Sequence, residues 1–254
     1  MKTGFSETPA PFVSASQTAR FDTENWAESN MFCPNCGCST VARYPANRPV
    51  ADFYCGQCGD QYELKSQSSA FGRKVADGAY FTKIERLASD TSPNLILLQY
   101  SREHRRVENL TVVPRYFFVP QAIERRPPLR STARRAGWVG SNILLDRIPL
   151  SGRIAVVQSG LVRDRREILD EWNRLRFIEE RHGEARGWLL EVMRCVQMIG
   201  RSDFALADVY RFERELSANF PRNNNVRPKI RQQLQVLRDG GYLEFLGNGR
   251  YRLC

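Results

Sequence analysis

Residues 48–65 read RPVADFYCGQCGDQYELK. An alternating apolar and polar run, a Cys-x-x-Cys turn and a second alternating run predict an antiparallel hairpin with a metal knuckle at its tip. A turn centred between Gln57 and Cys58 sets Phe53 opposite Tyr62 and Asp52 opposite Glu63, with Lys65 projecting from the same face as the two acids. Ala51, Phe53, Tyr62 and Leu64 then share the other face, which suits a core. Two carboxylates placed opposite one another repel, and a divalent cation between them removes that cost. Asp followed by Glu-x-Lys on adjacent strands suits metal-dependent phosphodiester hydrolysis. Asp52 and Glu63 offer hard oxygen ligands to Mg²⁺, and Lys65 offers a cation to the attacking hydroxide or the phosphorane. The bland alternative is a solvated strand face, since the pattern alone is common.

The rest of the chain narrows the choice. With 254 residues, 42% hydrophobic and 26% charged, there is enough chain for one sizeable core and a small second domain. No apolar run reaches the ~20 residues that cross a bilayer, and the polar opening MKTGFSETPAPF has no signal-peptide core, so a cytosolic protein is expected. A net charge of +10 points to a polyanionic partner. The presence of only two histidines, His104 and His182, argues against histidine-dependent nucleases, zinc hydrolases and Ser-His-Asp catalysis.

Cys33-Pro-Asn-Cys36 precedes Cys55-Gly-Gln-Cys58. In a reducing compartment two such knuckles predict a structural zinc ribbon rather than disulfides, because four thiolates close a tetrahedral Zn²⁺ site. Cys38 reads as a spare thiol or a misassigned ligand, Cys195 as core filler and Cys254 as tail. The first dozen residues look like a loose tail, and residues 14–29 like a short helix carrying Phe21 and Trp26. Residues 75–88 predict a helix with Tyr80, Ile84 and Leu87 on one face. Residues 94–100 (NLILLQY) predict a buried strand, 109–113 its neighbour and 153–158 a closing strand, giving an α/β core with a mixed sheet. A charged helical stretch over 162–180 packs through Ile168, Leu169, Trp172 and Leu175.

Between them lies RRPPLRSTARR (125–135), which has five arginines and no acid and is followed by Trp138. Arg134, Arg135 and Trp138 read as a DNA-facing loop, with Trp138 as a core plug the alternative. Residues 181–184 read as a linker. Residues 185–254 predict a winged helix: a helix ended by Gly200, a second capped by Ser202 or Asp203 and running to Leu216, a third from Val226 to Arg238, then a hairpin turning at Gly247-Asn248-Gly249. The third helix and its lead present Asn224, Asn225, Arg227, Arg231, Gln232 and Gln235, donors suited to phosphates and adenine edges. A winged helix that contacts protein instead is the alternative.

RPVADFYCGQC with YELKS, the TARRAGWVG loop and IRQQLQVLRDGG together resemble the DpnI-type methyl-directed restriction endonucleases along nearly the whole chain. The resemblance implies an α/β PD-(D/E)xK restriction-endonuclease-like domain with a zinc-binding four-cysteine insert over 1–180 and a C-terminal winged-helix DNA-binding domain over 185–254. It implies Mg²⁺-dependent cleavage of double-stranded DNA at adenine-methylated sites, N6-methylated GATC; a monomer is expected. Asp52, Glu63 and Lys65 take the catalytic places, Cys33, Cys36, Cys55 and Cys58 the zinc places, and Trp138 that of the DNA-contacting aromatic. Val50 and Ala51 separate Pro49 from Asp52, a departure from the bare Pro-Asp of the wider superfamily. A zinc-ribbon and winged-helix transcriptional regulator that binds DNA without cutting it is the rival expectation.

Overall fold

A computed structural model describes residues 1–6, 14–45 and 51–254. Residues 48–50 of the deciding stretch, and 7–12 of the expected tail, lie outside the described residues. In chain order the first elements are α1 (Ala15–Asn30), β1 (Ala42–Arg43), β2 (Phe53–Tyr54), β3 (Gln61–Gln67), β4 (Lys74–Ala79) and α2 (Tyr80–Ala88). Then come β5 (Asn94–Ser101), β6 (Arg106–Val113), β7 (Ile123–Arg125), β8 (Gly140–Leu144), β9 (Ile154–Gln158), β10 (Leu161–Val162) and α3 (Arg165–Arg174). The last are α4 (Gly183–Met198), β11 (Asp203–Ala205), α5 (Leu206–Tyr210), α6 (Glu213–Asn219), α7 (Val226–Asp239), β12 (Leu243–Gly247) and β13 (Arg250–Leu253).

By packing, the chain forms two compact units. The first comprises Met1–Gly72, Ser92–Arg115 and Arg153–Asn173. Its sheet runs β1-β2-β3-β5-β6-β9-β10. β3 and β5 are parallel and every other pair is antiparallel, which makes the mixed sheet the sequence predicts. Leu95 to Leu98 are buried without alternation because a central strand is covered on both faces. Phe53 and Tyr62 are paired across β2 and β3 in the predicted register, and both are fully buried. Each contributes about 2 kcal/mol of burial, which pins the hairpin's register. α1 lies against β3, with the Thr23 and Ser66 hydroxyls 3.1 Å apart and Trp26 buried. Residues 3–5, expected in a loose tail, instead extend the sheet. The Val107 amide donates to the Thr3 carbonyl, and the Phe5 amide to the Arg105 carbonyl, at the end of β6 beyond its pairing with β9.

The second unit comprises Arg73–Thr91, Tyr116–Gly152 and Arg174–Cys254. The helix predicted over 75–88 is corrected here: its first five residues lie in β4, paired with β8, and only Tyr80–Ala88 is helical. Gly78 is a poor helix former and sits at the register shift between Asp77 and Ala79, so cross-strand pairing overrides the helical periodicity. β4, β8 and β7 make a three-stranded sheet. The C-terminal part is a helix-turn-helix with a wing, whose strands run in the order β11-β13-β12. Val226, Ile230, Leu234 and Leu237 form the buried stripe of α7, as their spacing predicts. Neither Ser202 nor Asp203 caps the second helix, whose N-cap position is Ala205. Asp203 lies in β11, and the Asp208 carboxylate accepts the Ala205 amide instead; the predicted second helix is split into α5 and α6.

Glu191 of α4 is almost wholly buried and accepts from Arg194 at 3.0 Å and Asn219 at 3.1 Å, with Arg147 at 3.6 Å. A carboxylate in that position is tolerable only because its partners surround it. Glu191→Ala is expected to destabilise by about 3 kcal/mol, read as a lowered urea midpoint at unchanged slope, because Arg194 then loses a buried partner.

Candidate functional site

Two turns of the same construction carry the cysteines, one before the hairpin and one closing it between β2 and β3. The Gly37 amide donates to the Cys33 carbonyl and the Cys33 amide to that of Cys38; the Gly59 amide donates to the Cys55 carbonyl and the Cys55 amide to that of Asp60. Gly37 and Gly59 have φ of 75° and 79°, left-handed values that a side chain resists. The turns bring the Sγ atoms of Cys33, Cys36, Cys55 and Cys58 within 4.8 Å of one another. Cys33–Cys58 and Cys36–Cys55 are each 3.6 Å apart. Sulfurs about 2.3 Å from a central Zn²⁺ lie roughly 3.8 Å from each other, so the donor set fits a tetrahedral zinc.

Burial pushes the Cys33 thiol up to about 11 and raises Cys58 as well. At Cys36 burial acts the same way but is outweighed by the Cys38 amide and the neighbouring thiols, so that thiol is lowered. Such crowding favours one shared cation over separate thiolates. The Tyr62 hydroxyl stands 3.1 Å from Cys33 Sγ, which links the cluster to β3. Cys38 is outside the four, though its amide donates to Cys36 Sγ.

On the opposite face of the same strands, Asp52, Glu63 and Lys65 come together. Lys65 Nζ is 2.6 Å from Glu63 Oε1, and the two side chains are about three-quarters and four-fifths covered respectively. The Leu64 amide donates to Asp52 Oδ2 at 2.7 Å, which fixes the carboxylate beside the strand that carries the other two. Burial raises the Asp52 pKa, opposed by the Leu64 amide; the Glu24 charge raises it further, while Lys65 and Arg20 lower it. Half-buried oxygen donors fit a divalent cation, whose charge would favour the ionised form of Asp52 against the burial that raises its pKa.

Glu24 is the site residue that sequence reasoning missed. It lies on α1, held by Arg20 at 2.5 Å and by Arg43 of β1 at 2.5 Å. The i,i+4 spacing of Arg20 and Glu24 is legible in sequence, but their approach to Asp52 depends on how α1 packs on β3.

In the second unit, Trp138 ends the arginine loop half-buried. Its ring lies over Gly140, where a Cβ would come within 2.7 Å of it, and the Arg135 guanidinium is 4.9 Å from the ring centre. Arg134 is exposed. On α7 and its lead, Asn224, Asn225, Arg227, Arg231, Gln232 and Gln235 are all exposed. Arg227 pairs with Glu213 at 2.8 Å and lies over the Tyr210 ring, and Arg231 donates to the Tyr210 hydroxyl. The helix therefore shows a polar donor face with two of its arginines held in place.

No helix among the described residues is long and apolar enough to cross a membrane. A family model described as DpnI, the Dam-replacing family, matches residues 6–181, and a second, the Dam-replacing HTH domain, matches residues 184–253.

Proposed function

The chain belongs to the DpnI-type family of methyl-directed endonucleases, and from that premise we propose that it is a cytosolic, monomeric type II enzyme that hydrolyses phosphodiester bonds of double-stranded DNA at N6-methylated GATC. The catalytic division is residues 1–180, and residues 185–254 are a DNA-reading winged helix. The observation that carries the chemistry is the grouping of Lys65 with Glu63 at 2.6 Å and of Asp52 on the Leu64 amide.

Asp52 and Glu63 would hold Mg²⁺, which when bound would supply a Lewis acid for the scissile phosphate and lower the pKa of a bound water. The Leu64 amide keeps the Asp52 carboxylate aimed, so little reorganisation is needed when substrate arrives. Lys65 steadies the entering hydroxide and meets the negative charge that grows on the phosphorane oxygens. Cys33, Cys36, Cys55 and Cys58 hold a structural Zn²⁺ that staples the hairpin. Arg134, Arg135 and Trp138, and separately Asn224, Asn225, Arg227, Arg231, Gln232 and Gln235, contact the duplex. An N6-methyl group adds apolar contact in the major groove, of order 1 kcal/mol, and reading it in both domains multiplies the discrimination.

Cleavage of methylated, hemimethylated and bare GATC duplexes, with Mg²⁺ or with a chelator, tests this. Double-strand cutting of the methylated duplex with Mg²⁺ is expected. Equal cutting of the bare duplex would end the methyl-directed reading, and cutting in chelator would end the Mg²⁺ assignment.

A further inference from the structure

The start of α2 lies against the end of the arginine loop. Ala79 pairs with Gly140, and the Tyr80 amide donates to the Val139 carbonyl at 3.1 Å. The next residue, Phe81, leaves 57% of its surface open to solvent at the head of a short helix. It packs edge-on to Tyr80, with ring centres 5.5 Å apart, and the Arg125 guanidinium stands 5.4 Å from its ring centre. Trp138 and Arg135 form a second aromatic–arginine pair in the same loop. The base of α2 is fixed, because the Lys83 and Asp77 side chains, both almost fully covered, pair at 2.8 Å and Lys83 lies over the Phe118 ring.

The loop beside this ring carries five arginines and no acid between Arg125 and Arg135. Several arginines of the chain, such as Arg43, Arg163, Arg186, Arg194 and Arg252, are matched to carboxylates. Among the described residues, Arg125, Arg126, Arg130, Arg134 and Arg135 have no carboxylate partner. An open ring bordered by uncompensated guanidinium groups matches a polyanion with apolar faces between its charges, as in the bases and sugars of a duplex.

We infer that Phe81 is a second duplex-contacting aromatic, working beside Trp138: its ring rests on a sugar or enters a base step while Arg125 takes the adjoining phosphate. This rests on the nuclease reading above and adds a duplex-contacting residue to it. Fluorescence anisotropy of a methylated GATC duplex over a salt series, with Ca²⁺ in place of Mg²⁺ to prevent cutting, separates the two roles. Phe81→Ala is expected to weaken binding about tenfold with an unchanged salt slope. Arg125→Ala is expected to flatten the slope of log K against log salt by about 0.9, one phosphate contact. Phe81→Trp should restore affinity, and thermal unfolding of all three variants should match the parent. Parental affinity in Phe81→Ala would overturn the inference, as would a loss that Phe81→Trp fails to restore. If the parent protein bound no duplex at all, the nuclease reading would fall first and this inference with it.

Discussion

Lys65→Ala is expected to lower strand cleavage by at least ~10³-fold while affinity for the methylated duplex stays within about twofold of the parent. The asymmetry follows from where the ammonium acts. Lys65 is about three-quarters covered and sits 2.6 Å from Glu63, so under the proposed mechanism it acts as a fixed charge on the reacting phosphate rather than as a mobile contact on the DNA backbone. Interactions made chiefly in the transition state lower the rate and not the affinity when removed. Lys65→Arg should rescue poorly, because a planar fork cannot occupy the place of a compact ammonium beside Glu63. Asp52→Ala should give a similar loss through the metal, so the two variants together separate ion binding from charge stabilisation. Single-turnover cleavage and equilibrium binding read both quantities. A Lys65→Ala protein that cuts at the parental rate would leave the non-cutting regulator as the better account.

Removing zinc is expected to have the largest effect on stability. Structural zinc sites in small knuckles bind with apparent free energies of order 10 kcal/mol, comparable with the whole stability of a domain. Metal analysis should give about one zinc per chain. Cys55→Ser should reduce that to near none and lower the thermal midpoint by roughly 10 °C or more. Cys55 is fully buried, so the replacement also leaves a hydroxyl with no ion to bind. Cys38→Ser should change neither the metal content nor the midpoint, since its sulfur stands outside the cluster. A parent protein free of zinc, or a Cys55→Ser variant as stable as the parent, would remove the stapling role. Activity should follow the metal, because the Tyr62 hydroxyl on Cys33 and the Tyr62–Phe53 pair sit on the strands that carry Glu63 and Asp52.

How much of this was legible in the chain depends on sequence distance. The two knuckles and the β2–β3 pairing span only a few residues, so Cys-x-x-Cys spacing and two-residue alternation were sufficient to set the Phe53–Tyr62 register. The same holds for α7, where one apolar stripe closed by Gly240-Gly241 defines a helix. Asp52, Glu63 and Lys65 could be brought together on paper for the same reason. The approach of Glu24 to Asp52, the strand rather than helix at 74–79, the placing of Asp203 in β11, and the union of Phe81 with the arginine loop were beyond local reading. Each is fixed by a partner distant in the chain: α1 against β3, β4 against β8, β11 against β13, and Tyr80 on Val139. Periodicity reports which side of an element is apolar, whereas the choice of partner depends on backbone groups and side chains that meet only when the chain has folded.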